Sequence, residues 1–420
     1  MKRSLVFFSL FTLLGGCGDS EPSLAIDTFN VALAGFFIPF EAERRPFIVD
    51  AIANSNADIL CLQEVWDQSD KVAIRDAAVA AYPYSTFFED DLDTPIEDDT
   101  NQEGEVPPLP ETAPCAGEPA TSQLNAGVDC LEANCSTPDG RTTSEACAEE
   151  KCLGEVLLLI TAPPPQRCYA CLVTQLPTEL LTDIRSRCPT VVNQDLAFQG
   201  QNGVMILSRH PLKNAKELVV PGTWNRRTIL SATAELPDGA ELDVYCNHLT
   251  PIFVSSAVVN TFPYTGQYGD GTTNPSAWQA EQELQAEKLI NYVNDTSGSR
   301  PAVILGDLNT GRAYPTQEIV AEGAETLELL EAAFTPAYTA DYLAAPLCTF
   351  CSTNPVNNPD SDPEETSVWI DHIQLHNLAS DSVLSTARIF DEDVVPVGDE
   401  MVPLSDHFGM RSVIRLPEGQ

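Results

Sequence analysis

The sequence predicts a layered α/β sandwich, in which β-sheets pack together beneath covering helices. Continuous apolar runs such as "ADILCLQEV" (57–65) and "PAVILGD" (301–307) are typical of strands buried on both faces. Segments with one apolar helical face, such as "AWQAEQELQAEKLINYVN" (277–294), lie between such runs. The chain has 420 residues and 43% hydrophobic content, which allows a sizeable core. Strands alternating with helices favour layers of sheet and helix.

The first elements are predicted to be a strand, a helix and a second strand within residues 25–66. "LAIDTFNVAL" opens the series, and "ADILCLQEV" indicates a central strand because its middle is wholly apolar. Between them, "RRPFIVDAIANSN" predicts a helix with Pro46 near its start. The apolar face of this helix is formed by Phe47, Ile48, Ala51 and Ile52.

Further strands and helices are predicted in the second half of the chain. "NGVMILSRHPL" and "RRTILSATAELPDGAELDVYCNHLTP" indicate successive strands, with a Pro-Asp-Gly turn in the second segment. A loop rich in Gly, Thr and Asn (261–276) precedes the 277–294 helix. The remaining elements are the strand at 301–307, a helical stretch near 317–333, the strand "VWIDHIQL" and the terminal "VPLSDHFGMRSVIRL".

Residues 89–190 are predicted to be an insertion that interrupts a larger domain formed by residues 25–88 and 191–416. Residues 89–111 hold ten acidic residues, which indicates a solvated acidic linker. The segments "CLEANC" and "CAEEKC" then repeat one cysteine spacing, which suits two short helices joined by disulfides. The sequence assigns no function to this insertion.

The N-terminal residues 1–17 are predicted to be a lipoprotein signal peptide. "MKRSLVFFSLFTLLGGC" has a basic start and an apolar run too short to span a membrane. Small residues before Cys17 resemble a bacterial lipobox, in which this cysteine would be acylated; ordinary signal cleavage nearby is the alternative. We therefore expect an exported protein, lipid-anchored to a bacterial membrane on the periplasmic or cell-surface side.

The chain is strongly acidic, with 22 basic and 62 acidic residues and a net charge of −40. At long range this charge repels nucleic acid and anionic membranes, although salt screens it beyond about 10 Å. A zwitterionic head group such as phosphocholine would be repelled less. The charge says nothing about the fold.

The thirteen cysteines suit an oxidising compartment. Without Cys17 an even number remains, which predicts disulfides whose connectivity the sequence leaves open. A zinc site formed by the two C-x-x-C pairs is an alternative. Cys348 and Cys351 form a local pair, whereas Cys61 and Cys246 stand in apolar runs and are expected to be buried free thiols.

Polar residues recur at the ends of the predicted strands. At five strand ends they are Asn30, Glu64, His248, the pair Asp307 and Asn309, and the pair Asp406 and His407, while Asp371 lies inside a sixth strand. Each has an ordinary explanation by itself, since Asp and Asn are common turn residues and a Glu or His can end a solvated strand. Their repetition at six strands, with only four residue types, instead favours a shared cleft.

These residues, with their neighbours, resemble the endonuclease/exonuclease/phosphatase superfamily. The matching segments occur in the family's order: "FN" (29–30), "LQEV" (62–65), "NGVMILSRHPL" (202–212), "NHLTP" (247–251), "GDLN" (306–309), "WIDHI" (369–373) and "LSDHF" (404–408). The resemblance implies a four-layered α/β sandwich of two mostly antiparallel sheets flanked by helices. It also implies a divalent metal at the top of the sheets.

The resemblance further implies a role for each of these residues. Glu64 would ligate Mg²⁺ (or Mn²⁺ or Ca²⁺), with Asn30 and Asp406 assisting. Asp307 and Asn309 would hold the attacking water and a phosphate oxygen. Asp371 would orient His407 as the base partner, and His248 would act as an acid or phosphate contact. Hard oxygen ligands and a histidine near neutral pKa suit phosphodiester hydrolysis.

The leading hypothesis is a metal-dependent phosphodiesterase of the sphingomyelinase-like type, acting as a monomer without a protein partner. An exported nuclease acting on DNA or RNA is the first alternative, although the chain lacks a basic strip interleaved with aromatic residues. A catalytically inactive binding lipoprotein is the second. Arg226 and Arg227 would either reach the phosphate or be solvated, and His372 would alter the wall of the cleft.

Overall fold

The structure is a computed structural model, which describes residues 23–89, 112–138, 140–142, 145–161, 167–176, 179–191, 196–237, 239–253, 275–357 and 366–416. Cys17 and the predicted signal peptide lie outside the described residues, as do most of the acidic linker and the 261–276 loop. Among the described helices, none has the length and apolar character of a membrane span.

The described strands are β1 (Ser23–Leu33), β2 (Ile59–Val65), β3 (Tyr84–Thr86), β4 (Met205–Ser208), β5 (Leu212–Val220), β6 (Arg227–Glu235), β7 (Glu241–His248), β8 (Ala302–Asp307), β9 (Thr335–Pro336), β10 (Asp371–His376), β11 (Val383–Ile389), β12 (Val395–Val397), β13 (Glu400–Val402) and β14 (Gly409–Arg415). The described α-helices are α1 (Glu41–Ala53), α2 (Gln68–Ala78), α3 (Ala120–Asn134), α4 (Glu145–Leu157), α5 (Arg167–Gln175), α6 (Leu181–Arg187), α7 (Pro275–Ser297), α8 (Ala324–Ala333) and α9 (Ala340–Ala344).

Twelve of the described strands form two six-stranded sheets, which confirms the predicted α/β sandwich, and β12 and β13 form a separate two-stranded sheet. The first has the order β11-β14-β1-β2-β4-β3, and the second has the order β5-β6-β7-β8-β10-β9. The pairs β1–β2 and β7–β8 are parallel. The neighbouring pairs in both sheets are otherwise antiparallel, as predicted.

Strand β2 shows why the apolar runs predicted these strands correctly. Ile59 and Cys61 belong to the core between the two sheets, whereas Leu60 and Leu62 belong to the core beneath α1 and α2. Side chains alternate along a strand, so a strand covered on both faces must be apolar throughout. The side chains of β8 likewise alternate between the core that separates the two sheets and the core beneath α7 and α8. The layers are therefore helix, sheet, sheet and helix.

Two helices differ from the predicted boundaries. Helix α1 begins at Glu41, so Pro46 lies within the helix and not near its start. Ile48 and Ile52 are fully buried, but Phe47 is 38% exposed. The stretch predicted near 317–333 forms a regular α-helix only from Ala324. Proline marks a helix start only statistically, and burial is decided by the sheet against which the helix packs.

The cysteine-rich segment contains the two predicted helices joined by disulfides. Cys130–Cys152 and Cys135–Cys147 link α3 to α4, so each C-x4-C motif pairs with the other. The other described pairs are Cys115–Cys168, Cys171–Cys188 and Cys348–Cys351. Both C-x-x-C motifs are thus consumed by disulfides, which excludes the zinc alternative for these cysteines.

The expectation of free thiols at Cys61 and Cys246 is wrong. These residues form a disulfide with a Cα–Cα distance of 5.5 Å. Cys61 lies in β2 of the first sheet and Cys246 in β7 of the second, so the bond joins the sheets through the core. The sequence shows two apolar strands but not that they face one another.

We expect the double variant Cys61→Ala/Cys246→Ala to have a free energy of unfolding lower by about 2–5 kcal/mol, because the bond closes a long loop of the unfolded chain. Equilibrium denaturation with guanidinium would measure this loss. The matched control is Cys348→Ala/Cys351→Ala, whose residues are 3 apart rather than 185. Equal losses in the two double variants would contradict the expectation.

Candidate active site

The candidate residues meet at one edge of the two sheets. In the second sheet, His248 pairs in register with Asp307, and Asp307 pairs with Asp371. These three residues therefore lie side by side across β7, β8 and β10. In the first sheet, Asn30 of β1 lies opposite the residue that precedes Glu64 in β2. The predicted convergence of strand ends is present in the structure.

The carboxylate of Asp307 is the centre of the cluster. Its Oδ2 accepts a hydrogen bond from Asn30 Nδ2 at 2.9 Å and lies 3.4 Å from His248 Nε2 and 3.7 Å from His407 Nε2. Its Oδ1 accepts from the backbone N–H of Asn309 at 2.9 Å. Burial, and then repulsion by Asp371, raise the pKa of Asp307 to about 8.

Asn30 connects the two sheets across the cleft. Its amide nitrogen donates to Glu64 Oε1 at 3.2 Å as well as to Asp307, while its amide oxygen accepts from the backbone N–H of Ala32 at 3.0 Å. In this arrangement Asn30 orients two carboxylates. Its backbone carbonyl oxygen accepts a hydrogen bond from Ser405 Oγ at 2.7 Å. Asn30 is thus tied to the loop that carries Asp406.

His407 and Asp371 form a buried pair. His407 Nδ1 lies 2.8 Å from Asp371 Oδ2. Burial alone would lower the pKa of His407, but attraction by Asp371, Asp307 and Asp406 outweighs it and raises the pKa well above its ordinary value. His407 therefore carries its proton at neutral pH. Thr349 fixes the start of β10 by accepting hydrogen bonds from the backbone of Ile370 and Asp371.

His248 has the opposite character. Burial, followed by the charges of Arg227 and His407, lowers the pKa of His248 well below its ordinary value. The imidazole is therefore neutral. Its Nε2 faces Asp307 and lies 3.9 Å from Glu64 Oε1, and its Nδ1 is buried without a hydrogen-bond partner among the described residues. A neutral imidazole fits a phosphate contact better than a general acid.

Two site residues have unusual backbone conformations. Glu64 has φ 57° and Asn309 has φ 49°, in the left-handed region that non-glycine residues seldom occupy. Gly306 lets β8 approach β7 closely, since a Cβ at this position would lie 2.1 Å from the carbonyl oxygen of Asn247. Such strain is common where side chains must be aimed at a ligand.

Three polar residues of α7, which the sequence analysis did not identify, hold the loops around the site. Glu281, Gln282 and Gln285 have 0% exposure. Gln282 Nε2 donates to the carbonyl oxygens of Thr250 at 2.8 Å and Asn309 at 2.6 Å. Glu281 accepts from Thr250 Oγ1, and Gln285 accepts from the backbone N–H of Thr250, each at 2.7 Å. The position of these polar residues on one face of the helix is the feature of the sequence from which they could have been identified.

The site opens into a cleft of about 430 Å³. Its floor includes Glu64, Asp307, Asn309, Asp406, His248 and His407, and several aromatic side chains line its sides. Glu322 also lines the cleft and accepts from the backbone N–H of Ile252 at 3.4 Å. Burial raises the pKa of Glu322 to about 7. Glu322 could not be located from the sequence, because no apolar run precedes it.

The two arginines are buried rather than solvated. Arg226 is 3% exposed and Arg227 is 4% exposed. Arg227 lines the cleft and lies over the ring of Trp66 at 5.9 Å. Burial lowers the pKa of Arg227 to about 10, so that it remains charged. Arg226 Nε instead donates to the carbonyl oxygen of Gly200.

His372 lies beneath the site and is not among the residues that line the cleft. Its Nε2 is 2.7 Å from the carbonyl oxygen of Thr310, and its Nδ1 is 3.0 Å from Tyr338 Oη. Because a carbonyl oxygen only accepts, Nε2 carries the proton and Nδ1 accepts from the tyrosine. His372 thus positions the residue that follows Asn309 and does not form the cleft wall.

The residues present fit a divalent cation. Burial, and then the nearby Asp406, raise the pKa of Glu64, so the two carboxylates share a space in which an added positive charge is favourable. Asp307, Asp371 and His407 also have ligand atoms within 4.8 Å of one another. In that second group, however, His407 and Asp371 already form a hydrogen bond with each other. Oxygen donors from carboxylates and amides suit Mg²⁺, Mn²⁺ or Ca²⁺.

Comparison with known proteins identifies similar chains. The sequence model of the Endonuclease/Exonuclease/phosphatase family matches residues 28–407. No curated protein has a significant match. The crystal structure of SmcL has 13% identity and a TM-score of 0.50, covering 93% of this chain and 99% of that chain.

Two further solved structures are similar. Sphingomyelinase C from Streptomyces griseocarneus has 14% identity and a TM-score of 0.47, covering 94% of this chain and 99% of that chain. A Staphylococcus aureus beta toxin mutant with bound magnesium ions has 12% identity and a TM-score of 0.48, covering 93% and 99%. At these identities the likeness concerns the fold, and no activity is transferred from these proteins.

We expect His372 to make the protein less stable in mild acid. Burial lowers the pKa of His372 from 6.5 to about 4. Between these two pH values the unfolded chain therefore binds a proton at this residue and the folded chain does not. The free energy of unfolding should therefore fall by up to about 3 kcal/mol as the pH drops from about 6.5 to 4. Chemical denaturation at a series of pH values would measure this slope.

The variant His372→Gln should reduce that slope, even if its stability at pH 8 is lower because its hydrogen bonds change. The control His376→Gln, at the opposite end of β10, should keep the slope of the parent protein. A slope unchanged in His372→Gln would show that other groups cause the loss.

Proposed function

The chain belongs to the endonuclease/exonuclease/phosphatase family, and from this premise we propose that it is a divalent-metal-dependent phosphodiesterase of the sphingomyelinase-like type. The observation that carries the proposal is the position of Asp307 between His248 and His407, at 3.4 Å and 3.7 Å, in a cleft that also contains Glu64 and Asp406. A carboxylate held between two histidines beside further carboxylates suits phosphoryl transfer.

Glu64 and Asp406 would hold the metal ion, and Asn30 would orient Glu64. Mg²⁺ is the ion we propose first, with Mn²⁺ and Ca²⁺ as alternatives. A bound ion would neutralise charge on the phosphoryl oxygens. Hydrolysis itself is assigned to the side chains around Asp307.

Asp307 would accept a proton from the attacking water. In its ionised form, which predominates above its pKa of about 8, Asp307 is a stronger base than an ordinary aspartate, and Asn309 would help to hold the water and a phosphate oxygen. The water oxygen forms a bond to phosphorus while the bond to the leaving oxygen breaks in line with it, and the proton passes to Asp307 Oδ2. The leaving oxygen then takes a proton from solvent.

His407 would stabilise the charge that develops on the phosphate. The family resemblance implies a base partner at this position, but the raised pKa of His407 favours a protonated imidazolium, which donates and does not accept a proton. Asp371 accepts from Nδ1 of this imidazolium, which holds the orientation of the ring and stabilises its charge. His248, which is neutral, and Arg227, which is charged, would contact other phosphate oxygens.

The lining of the cleft and the acidity of the chain support a zwitterionic lipid head group as the substrate. Among the described residues that line the cleft, Arg227 is the one arginine or lysine, and His407 is the other positively charged side chain. A nucleic-acid backbone would need more positive charge, since phosphate contacts dominate its affinity. Disulfides suit an exported protein, and a lipid anchor at Cys17 would hold the cleft near a membrane.

We expect the purified protein to hydrolyse sphingomyelin or phosphatidylcholine in the presence of Mg²⁺, and to lose this activity when EDTA is added. Phosphocholine release would be measured beside cleavage of double-stranded DNA, RNA and a phosphomonoester. Restoration by Mg²⁺, Mn²⁺ or Ca²⁺ would identify the metal. Cleavage of nucleic acid but not lipid would support the exported nuclease. Inactivity on every phosphoester would support a binding lipoprotein.

We expect Asp307→Ala and His407→Ala each to lower turnover by at least about 10²-fold, the size of one lost contact with the transition state. The controls Asp76→Ala and His376→Ala remove the same residue types away from the cleft and should retain activity. Steady-state kinetics, with circular dichroism to confirm folding, would measure this. Near-normal turnover in either site variant would remove that residue from the mechanism.

A further inference from the structure

One side of the cleft is aromatic. We define the aromatic wall as Phe37, Trp66, Phe198, Trp224 and Phe253, all of which line the cleft. The rings of Trp66 and Phe198 stack with centroids 4.3 Å apart and an interplanar angle of 2°. Trp224 lies 5.9 Å from Phe37 and 6.2 Å from Phe253, with the rings tilted. The five rings thus form a stacked pair and a group of three tilted rings, which line the same cleft as the catalytic residues.

The aromatic wall is held rigidly from behind. Trp66, Phe198 and Trp224 are at most 8% exposed, so that only part of each ring meets the cleft. Gly203 makes room for Trp66, because a Cβ at that position would lie 2.9 Å from its ring. A rigid aromatic surface loses little conformational entropy when a ligand binds to it.

The cysteine-rich insertion supplies this support. Its helices α3 to α6 share one hydrophobic core with Trp66, Phe198 and Trp224. On either side of Phe198, the backbone N–H of Ala197 donates to the carbonyl oxygen of Trp224 at 2.8 Å, and Gln199 Nε2 donates to Glu179 Oε1 at 2.7 Å. Phe198 is therefore held between the insertion and the body of the protein.

The chemistry of the aromatic wall restricts its ligand. Aromatic faces attract weakly hydrated cations and repel anions. The chain's net charge of −40 acts in the same direction. Arg227, the cation over Trp66, is buried and already faces Glu64 and Asp307. An ammonium group on the substrate would meet the aromatic rings without competing for the phosphate contacts.

We propose that the aromatic wall is a subsite for a quaternary ammonium group attached to the scissile phosphate, and that the insertion is a structural part of this subsite. The proposal rests on the phosphodiesterase function proposed above. It goes further by assigning substrate selection to particular residues outside the catalytic cluster. It also gives the insertion a role within the enzyme.

The test compares three p-nitrophenyl phosphodiesters. The first carries choline, the second carries 3,3-dimethylbutanol, which has the same shape without the charge, and the third carries methanol. Rates would be measured with Mg²⁺ at high ionic strength, which screens long-range repulsion of the two anionic esters. We expect kcat/KM to be about tenfold higher for the choline ester than for its uncharged analogue, as one aromatic–ammonium contact would give.

Two substitutions test the aromatic wall. Trp224→Leu and Phe198→Leu keep apolar volume but remove an aromatic face. Each should bring the choline ester to within about threefold of the dimethylbutyl ester and leave the methyl ester unchanged. Phe47→Leu, at the exposed aromatic residue of α1, is the matched control and should keep the preference. Retained preference in the two wall variants, or equal losses on all three esters, would overturn the proposal.

A binding experiment separates this proposal from the proposed function. Isothermal titration of the protein with tetramethylammonium chloride should show saturable binding that Trp224→Leu abolishes and Phe47→Leu retains. If no ester is hydrolysed but this binding pattern is found, the phosphodiesterase function fails and the ammonium subsite stands. If esters are hydrolysed without binding or choline preference, the subsite fails and the enzyme stands.

Discussion

The site depends on one buried carboxylate that is shared between the two sheets. Asp307 belongs to the second sheet, yet its Oδ2 is held by Asn30 of the first at 2.9 Å. A shift of one sheet against the other would therefore separate Asp307 from Asn30 and Glu64. The Cys61–Cys246 disulfide joins the sheets three residues before Glu64 and two before His248. The disulfide thus fixes the two sheets to each other close to the residues whose alignment the site requires.

The charges in the cluster explain its chemistry. Four carboxylates, those of Glu64, Asp307, Asp371 and Asp406, lie in or beneath the cleft. The positive groups that act on them include His407, Arg227 and the buried Arg44, which attracts Glu64 and Asp406. Buried carboxylates are unfavourable unless charge balances them. The histidines respond in opposite ways, because His407 lies against Asp371 whereas His248 faces the charge of Arg227. Glu64 and Asp406 repel one another, so a divalent cation between them would be favourable.

The sequence predicted those parts of the structure that depend on local pattern. Strand β8 is apolar on both faces, so its end and the following Asp307 and Asn309 could be located from the sequence. The residues it did not identify act through tertiary contacts. The Cys61–Cys246 bond requires knowing that β2 faces β7, and Gln282 acts only because α7 crosses behind the loops. Pro46 was misplaced because α1 already begins at Glu41, in a first turn that has no apolar pattern, and the buried Arg44 then donates to the carbonyl oxygens of Val31 and Ala32 in β1.

The strongly acidic chain is compatible with a site for phosphate because the two effects act over different distances. The net charge of the surface acts on a ligand mainly outside the cleft, and salt screens it at distances beyond about 10 Å. Inside the cleft the phosphate would meet Arg227, His407 and a divalent cation at contact distance, where burial strengthens each interaction. The surface charge then discriminates among whole substrates. A polyanion would be repelled along its entire length, whereas a zwitterionic head group carries one anionic group for the cluster and one cationic group for the aromatic wall.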